Sequence, residues 1–283
     1  MDDSTHPVKG RNPPLTASYV TLHGAGFTDP ARNTFAARAR AAAGAGFTGV
    51  GSHLTDTFEH VGGPVVARQI AEENGVAITE SELLTGWASA TEDDWPEEKH
   101  RQVIEMADTS GLHHVTAGEF GEGPLDRGRA GENLARLAEP LKSVGTLVAI
   151  EPFRWAGIAD YPAAIDIVRR SGATNVGLML DVWHFFNSGA DLGFLDEIDV
   201  QDIAAVQLND GPMVDRDFQN AARETRWLPG DGELDVVGFV TGLREKEYVG
   251  TWCVEVNYPE FRALPVEDAA RIAYEKAITI LSG

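Results

Sequence analysis

The chain has 283 residues, of which 43% are hydrophobic and 24% charged, so it can bury a substantial core and has the size of a single α/β barrel. Its formal net charge of −21 predicts a surface that repels phosphate backbones and anionic membranes, which argues against nucleic acid and membrane partners. The single cysteine, Cys253, allows no disulfide and no thiolate metal cluster within one chain. The polar beginning of the chain and the lack of a long apolar run predict a cytoplasmic protein. We expect a flexible lead-in over residues 1–14 and one domain over residues 15–283.

Short apolar runs alternate with longer amphipathic segments along the chain, a pattern typical of repeated βα units and a parallel sheet. The pattern predicts strands over residues 17–22, 47–54, 76–84, 112–120, 147–153, 176–181, 203–208 and 252–256. It predicts helices over residues 29–44, 64–74, 93–109, 161–170, 236–246 and 266–281, and one that ends near residue 145. Eight strands are the number that closes a barrel, so the predicted fold class is α/β, a single (β/α)8 TIM barrel with parallel strands.

Four successive late strands end in a side chain that offers an oxygen ligand. These residues are Glu151, Asp181, Gln207 and Glu255. Each alone is better explained by a helix cap or an ion pair at a strand end. The carboxyl ends of barrel strands converge on one mouth, however, and crowded carboxylates repel unless a cation neutralises them. The set therefore predicts one divalent metal ion, with Mn²⁺ or Mg²⁺ favoured by the oxygen donors and Co²⁺ or Zn²⁺ as alternatives.

Several other side chains are candidates for contact with a substrate. His23 and His53 end the first two predicted strands and offer hydrogen bonds to hydroxyl groups, although a buried histidine bonded to backbone explains each one better when it is taken alone. Trp183 and Trp227 are the aromatic residues that we favour for stacking on a sugar ring, ahead of Trp87, Trp155 and Phe185. Two acidic residues near strand ends, Glu82 and Glu119, stay undecided between ligand contact and a solvated charge.

A family resemblance rests on five segments of the second half of the chain. They are LVAIEPF, GLMLDVWHF followed by SGAD, the ND after strand seven, RWLPGDGELD and WCVEVNYPEF. Together they resemble the xylose isomerase-like TIM-barrel superfamily of sugar and sugar-phosphate isomerases and epimerases, most strongly over residues 145–282. The resemblance implies that Glu151, Asp181, Gln207 and Glu255 hold the metal, and that His184 and Arg226 contact the substrate. Strand seven commonly ends in a histidine ligand in this superfamily, so Gln207 is a departure that leaves a weaker oxygen ligand.

The resemblance implies a metal-dependent isomerase or epimerase that acts on a keto-sugar or cyclitol. A bound metal acidifies the C–H next to a carbonyl, and Glu151 and Glu255 then serve as base and acid on an enediolate. The alternative is a dehydratase of the inosose or 3-dehydroshikimate type, in which His184 donates the proton. A phosphodiesterase would need a histidine cluster and a basic groove, which the sequence lacks.

A ligand-binding barrel without catalysis is the last alternative for this chain. A phosphorylated substrate is not favoured, because Arg226 and Arg216 are the only cations that we place near the mouth. A homo-oligomer that pairs through the outer helices is left open.

Overall fold

The computed structural model describes residues 14–121, 123 and 125–283, so the predicted lead-in over residues 1–14 lies outside the described residues except for Pro14. Eight strands form a closed barrel in chain order, and every neighbouring pair is parallel. The strands are β1 (Leu15–Ala17), β2 (Gly49–His53), β3 (Ala77–Leu84), β4 (His114–Ala117), β5 (Leu147–Ile150), β6 (Val176–Asp181), β7 (Ile203–Leu208) and β8 (Trp252–Val254). The predicted TIM barrel is confirmed.

Helices follow the strands around the outside of the barrel. The longer ones are α2 (Phe35–Ala45), α4 (Pro64–Asn74), α5 (Glu97–Ser110), α6 (Arg127–Lys142), α7 (Tyr161–Ser171), α11 (Val236–Glu245) and α13 (Val266–Ser282). Short helices in the connections are α1 (Tyr19–Leu22), α3 (Leu54–Asp56), α8 (Val182–Asn187), α9 (Phe194–Glu197), α10 (Phe218–Glu224) and α12 (Pro259–Arg262). A π-helical turn, Thr57–Val61, and a 3₁₀ turn, Val200–Asp202, complete the helical segments.

The first strand is the element that the sequence misplaced. We predicted a strand over residues 17–22, but β1 ends at Ala17 and the next residues form the helical turn α1. Periodicity cannot separate a short buried helix from a strand in such an apolar run. Tertiary bonds decide the outcome, because the Thr21 hydroxyl donates to the Val254 carbonyl at 2.8 Å and accepts from the Val256 amide at 2.9 Å. By contrast, β6 and β7 have the predicted bounds, and every residue in both is buried.

Alternation along the strands positions the functional end of the barrel. Inside the barrel, Ala149, Met179 and Ala205 form a small apolar cluster from three adjacent strands. Successive strand side chains point to opposite faces, so the residue two positions later faces inward again. That position is Glu151 after β5, Asp181 in β6 and Gln207 in β7. The apolar layer is therefore followed by a polar one at the carboxyl end of the sheet.

No helix among the described residues is long and apolar enough to cross a membrane.

Candidate metal and substrate site

Asp181 both caps a helix and contributes a carboxylate oxygen to the acidic cluster, two roles that we treated as alternatives from the sequence. Its Oδ1 atom accepts a hydrogen bond from the His184 amide at 2.8 Å and so caps the N-terminus of α8. Its Oδ2 atom accepts from Asn209 Nδ2 at 2.5 Å and from Arg226 Nη1 at 2.8 Å. The cap fixes His184 beside the carboxylate, while the second oxygen faces the barrel mouth.

The guanidinium of Arg226 lies at the centre of the acidic cluster. Nη1 also donates to Glu255 Oε2, and Nη2 contacts His184 Nε2. Glu151 Oε1 lies 3.9 Å from Arg226 Nη2 and 3.6 Å from His184 Nε2. All these side chains are buried, with Arg226 only 3% exposed. The structure therefore brings four of the predicted site residues together around a fifth, Arg226.

The segment that carries Arg226 is fixed by Asp210, which follows β7. The Asp210 backbone pairs with Trp227, and the Asn257 amide donates to the Arg226 carbonyl at 2.9 Å. The Asp210 carboxylate is buried and accepts from the amides of Gly211 at 2.8 Å, Gly230 at 3.1 Å and Leu234 at 3.1 Å. One carboxylate thus joins the end of β7 to the turn at residues 228–233.

We expect Asp210→Ala to lower the free energy of unfolding by about 2–3 kcal/mol, because three backbone donors lose a charged acceptor. Asp231→Ala is the matched control, since this half-exposed residue pairs with Lys276 at the surface, and such pairs contribute about 0–1 kcal/mol. Urea denaturation followed by circular dichroism measures both. Equal losses in the two variants would contradict the bracing role of Asp210.

A pocket opens above the cluster, with a cavity volume of about 200 Å³. Glu151, His184, Arg226 and Glu255 line it together with His53. One wall is a stack of aromatic rings from Phe120, Phe153 and Trp155, whose successive centroids lie 5.0 and 5.3 Å apart. The pocket suits a small molecule with polar groups at its floor and an apolar face against this wall.

Other candidates lie away from the pocket wall. His23 is fully buried, and its Nδ1 and Nε2 atoms contact the carbonyl oxygens of Val20 at 2.8 Å and Gly26 at 3.1 Å, so neither ring nitrogen is free for a substrate. Trp87, Trp183 and Phe185 are core residues with no exposed surface. The described pocket lining does not include Trp227 either, whereas Trp155, which we ranked lower, is part of it.

The second cation at the mouth of the pocket is Arg223 rather than Arg216, which we expected there. Arg216 is 88% exposed at its side chain and contacts the neighbouring Asp215. Arg223, on α10, lines the pocket instead. The residues from Pro212 to Thr225 connect β7 to the Arg226 segment, and the sequence could not show which face of this connection meets the mouth.

Glu82 and Glu119, which the sequence left undecided, have different environments. Glu119 accepts backbone hydrogen bonds from Ala88 at 3.1 Å and Gly121 at 2.8 Å, so it braces two loops. Glu82 is 7% exposed, lines the pocket, and accepts from Gln207 Nε2 at 3.3 Å. The signal for Glu82 was present in the sequence, because it stands near the end of a predicted strand, as Glu151 does.

Burial dominates the electrostatics of the site. It raises the pKa of Glu151 to about 8, against the opposing effect of Arg226, and raises the pKa of Glu255 and of Glu82 well above the ordinary range. It also holds the pKa of His184 well below the usual value, with Arg226 adding to the effect, so the ring is neutral. Burial lowers the pKa of His53 to about 4. Among the residues that the structure describes, Arg226 is the cation that contacts the carboxyl groups of this cluster.

The donor set fits a divalent cation. One ligand atom each from Glu151, Asp181 and His184 lies within 4.8 Å of the others. Glu151 Oε1 and Gln207 Oε1 are buried and have no hydrogen-bond partner in the described part of the chain. Buried lone pairs without a donor are costly unless a cation or a substrate completes them. The geometry also adds His184, for which the resemblance implied a substrate contact, to the candidate ligands.

An eight-stranded parallel barrel with a buried acidic cluster at its mouth defines a TIM-barrel protein with a candidate divalent-metal site. The chain belongs to the xylose isomerase-like TIM barrel family, whose sequence profile matches residues 39–277. The predicted family resemblance is confirmed.

Three known proteins show the range of its relatives. A 3-dehydroshikimate dehydratase of Pseudomonas putida is 26% identical over 84% of this chain and 38% of its own length. An inosose isomerase of Halalkalibacterium halodurans is 29% identical over 53% of each protein. The solved structure of the IOLI protein with a bound zinc atom superposes with a TM-score of 0.80 at 18% identity, over 95% of this chain and 98% of that one. The chain therefore spans only about half, or less, of the curated relatives that it matches.

Proposed function

We propose that this protein is a divalent-metal-dependent isomerase or epimerase that removes a proton next to the carbonyl of a small keto-sugar or cyclitol. The observation that carries the proposal is the convergence of Glu151 and Glu255, from different strands, on the polar floor of one small pocket. Carboxylates on two sides of a bound substrate can take a proton from one carbon and return it to another face or position. Inosose isomerase is among the relatives, which supports this class of reaction.

Glu151, Asp181, Gln207 and Glu255 are the proposed metal ligands. When bound, a divalent ion would polarise the substrate carbonyl and acidify the adjacent C–H bond. The oxygen donors favour Mn²⁺ or Mg²⁺. The zinc atom in the IOLI protein keeps Zn²⁺ among the candidates, and His184 would supply the nitrogen ligand that zinc accepts.

The remaining side chains bind and orient the substrate. Arg226 is the cation that faces substrate oxygens, because the acidic cluster holds its guanidinium at the pocket floor. His184 is held by the Asp181 cap and by edge contacts with Phe153 and Trp183, with ring centroids 5.1 and 5.2 Å apart. His53 lines the opposite part of the pocket and offers a neutral ring to a hydroxyl. The aromatic wall around Phe153 covers the apolar face of the ring and excludes water.

A dehydratase that acts on 3-dehydroshikimate or an inosose is the second candidate. The specific observation in its favour is coverage, because the dehydratase of P. putida aligns with 84% of this chain, compared with 53% for the inosose isomerase. One of the same carboxylates would take the proton from carbon, and a protonated carboxyl of the pair would donate one to the leaving hydroxyl, because the low pKa of His184 leaves its ring neutral and a poor proton donor. Arg223 at the mouth could pair with the substrate carboxylate. A cytoplasmic location stays a prediction of the sequence, and a homo-oligomer stays open.

Product analysis in D₂O tests both candidates. The metal-stripped protein is supplied with Mn²⁺ and incubated with ketohexoses, inososes and 3-dehydroshikimate, and NMR follows each compound. Deuterium on carbon in an isomer or epimer supports the first candidate. Loss of water from an inosose or 3-dehydroshikimate supports the second. If no compound reacts under any divalent ion, the ligand-binding barrel is the better description.

A further inference from the structure

Glu82 reaches across the barrel mouth to Gln207. In the closed order of eight strands, β3 and β7 are opposite one another, yet Glu82 Oε1 and Gln207 Nε2 lie 3.3 Å apart. The two side chains are 7% and 1% exposed, so little water competes for the contact. Gln207 is also the residue at which this chain departs from the histidine common in its superfamily.

The Gln207 amide can turn either its nitrogen or its oxygen toward the centre of the site, and only the oxygen can bind a cation. The nitrogen has no lone pair to offer, whereas the oxygen has two. The contact with Glu82 is made by the amide nitrogen, so Gln207 donates to the carboxyl oxygen of Glu82. The amide oxygen then faces away from Glu82, and it is buried without a hydrogen-bond partner in the described residues.

We propose that Glu82 is a positioning residue that holds the Gln207 amide with its oxygen available to the divalent cation. The inference rests on the proposed metal site, and it assigns a role to a residue outside the four-ligand set. Partners behind a metal ligand commonly change the metal affinity by about 10- to 100-fold. Glu82 belongs to this class because it acts through the orientation of Gln207.

A double-mutant cycle on Mn²⁺ affinity tests the role. Isothermal titration calorimetry of metal-stripped protein gives the dissociation constant for wild type, Glu82→Met, Gln207→Met and the double variant. We expect Glu82→Met to weaken binding about 10- to 100-fold in the wild-type background. In the Gln207→Met background it should change the constant less than about twofold, because no amide is left to orient.

Two further variants separate orientation from charge. Glu82→Gln removes the ionisable carboxyl but keeps an acceptor oxygen for the Gln207 amide, so it should recover most of the affinity lost in Glu82→Met. Glu73→Met removes a distant charge from the exposed face of α4 and should leave the constant within about twofold of wild type. Thermal unfolding of the metal-free variants shows whether each one folds.

Three results would overturn the role of Glu82 while leaving the metal site standing. They are an equal loss of affinity from Glu82→Met in both backgrounds, a Glu82→Gln variant as weak as Glu82→Met, and a folded Glu82→Met variant with wild-type affinity. A wild-type chain that binds no divalent ion would instead overturn the proposed function, and the role of Glu82 with it.

Discussion

Glu255→Gln should reduce the rate of solvent deuterium exchange into the substrate by about 10²- to 10⁴-fold, the usual effect of removing a general acid or base. The substitution keeps the volume of the side chain and one acceptor oxygen for Arg226, but it removes the carboxylate that can carry a proton. Glu255 is 4% exposed and lines the pocket, so water cannot readily take its place. NMR of the substrate recovered from D₂O with Mn²⁺ measures the exchange rate.

Glu260→Gln is the matched control for this experiment. Glu260 stands five residues further on, at the beginning of α12, and is exposed to solvent, so its variant should exchange deuterium at the wild-type rate. Exchange by Glu255→Gln within about threefold of wild type would show that Glu255 carries no proton. The threefold limit lies far below the effect of removing a general acid or base, which is at least about 100-fold on the rate.

Arg226→Met should lower the free energy of unfolding of the metal-free protein by about 3–5 kcal/mol, the range for breaking a buried ion pair from one side. The guanidinium bonds with Asp181 and Glu255 and lies near Glu151, and all three acidic side chains are buried. Although burial alone would lower the pKa of Arg226, the neighbouring carboxylates raise it above its ordinary value, so the charge is retained. Urea denaturation in the presence of a chelator measures the loss.

Added Mn²⁺ should then raise the melting temperature of Arg226→Met by more than it raises that of wild type. The reason is that a divalent ion neutralises the same carboxylates, and the guanidinium no longer competes for Asp181 Oδ2 and Glu255 Oε2. Arg216→Met, which alters an exposed pair with Asp215, should change the stability by less than about 1 kcal/mol. An Arg226→Met variant as stable as Arg216→Met would contradict the central position of Arg226.

The sequence predicted the barrel because the physical signal of its strands is local. Residues 176–181 and 203–208 are almost wholly apolar runs, with a polar residue only at the last position of the first run and the fifth position of the second, as is typical of strands buried on both faces. Residues 17–22 carried a similar pattern but divide between β1 and α1, because hydrogen bonds to β8, more than 230 residues away, decide the conformation of Thr21. A signal of that range is not contained in local periodicity.

The acidic cluster could be predicted once the strands were, because its residues stand at or next to strand ends. Glu151, Asp181, Gln207 and Glu255 end strands, and convergence of strand ends is a property of the fold. The cap between Asp181 and His184 follows from their spacing of three residues. The structure brings these groups together, and their roles as metal ligands remain the proposal that the experiments above address.

Contacts between distant segments could not be predicted from the sequence. It could not show that Trp155 faces the pocket while Trp183 enters the core, because both follow strand ends and only the packed connections separate them. The contact between Glu82 and Gln207 joins residues 125 positions apart on opposite sides of the barrel. Such pairings depend on the closure of the sheet, which no single segment encodes.

Titration calorimetry with Mn²⁺, checked by elemental analysis, gives the number of divalent ions that the metal-stripped wild-type chain binds. We expect one ion per chain and an affinity that falls at least about 100-fold in Glu151→Gln, since losing a ligand should exceed the effect of losing its supporting partner. A wild-type protein that binds Mn²⁺, Mg²⁺, Co²⁺ and Zn²⁺ no more tightly than Glu151→Gln does would contradict the metal site.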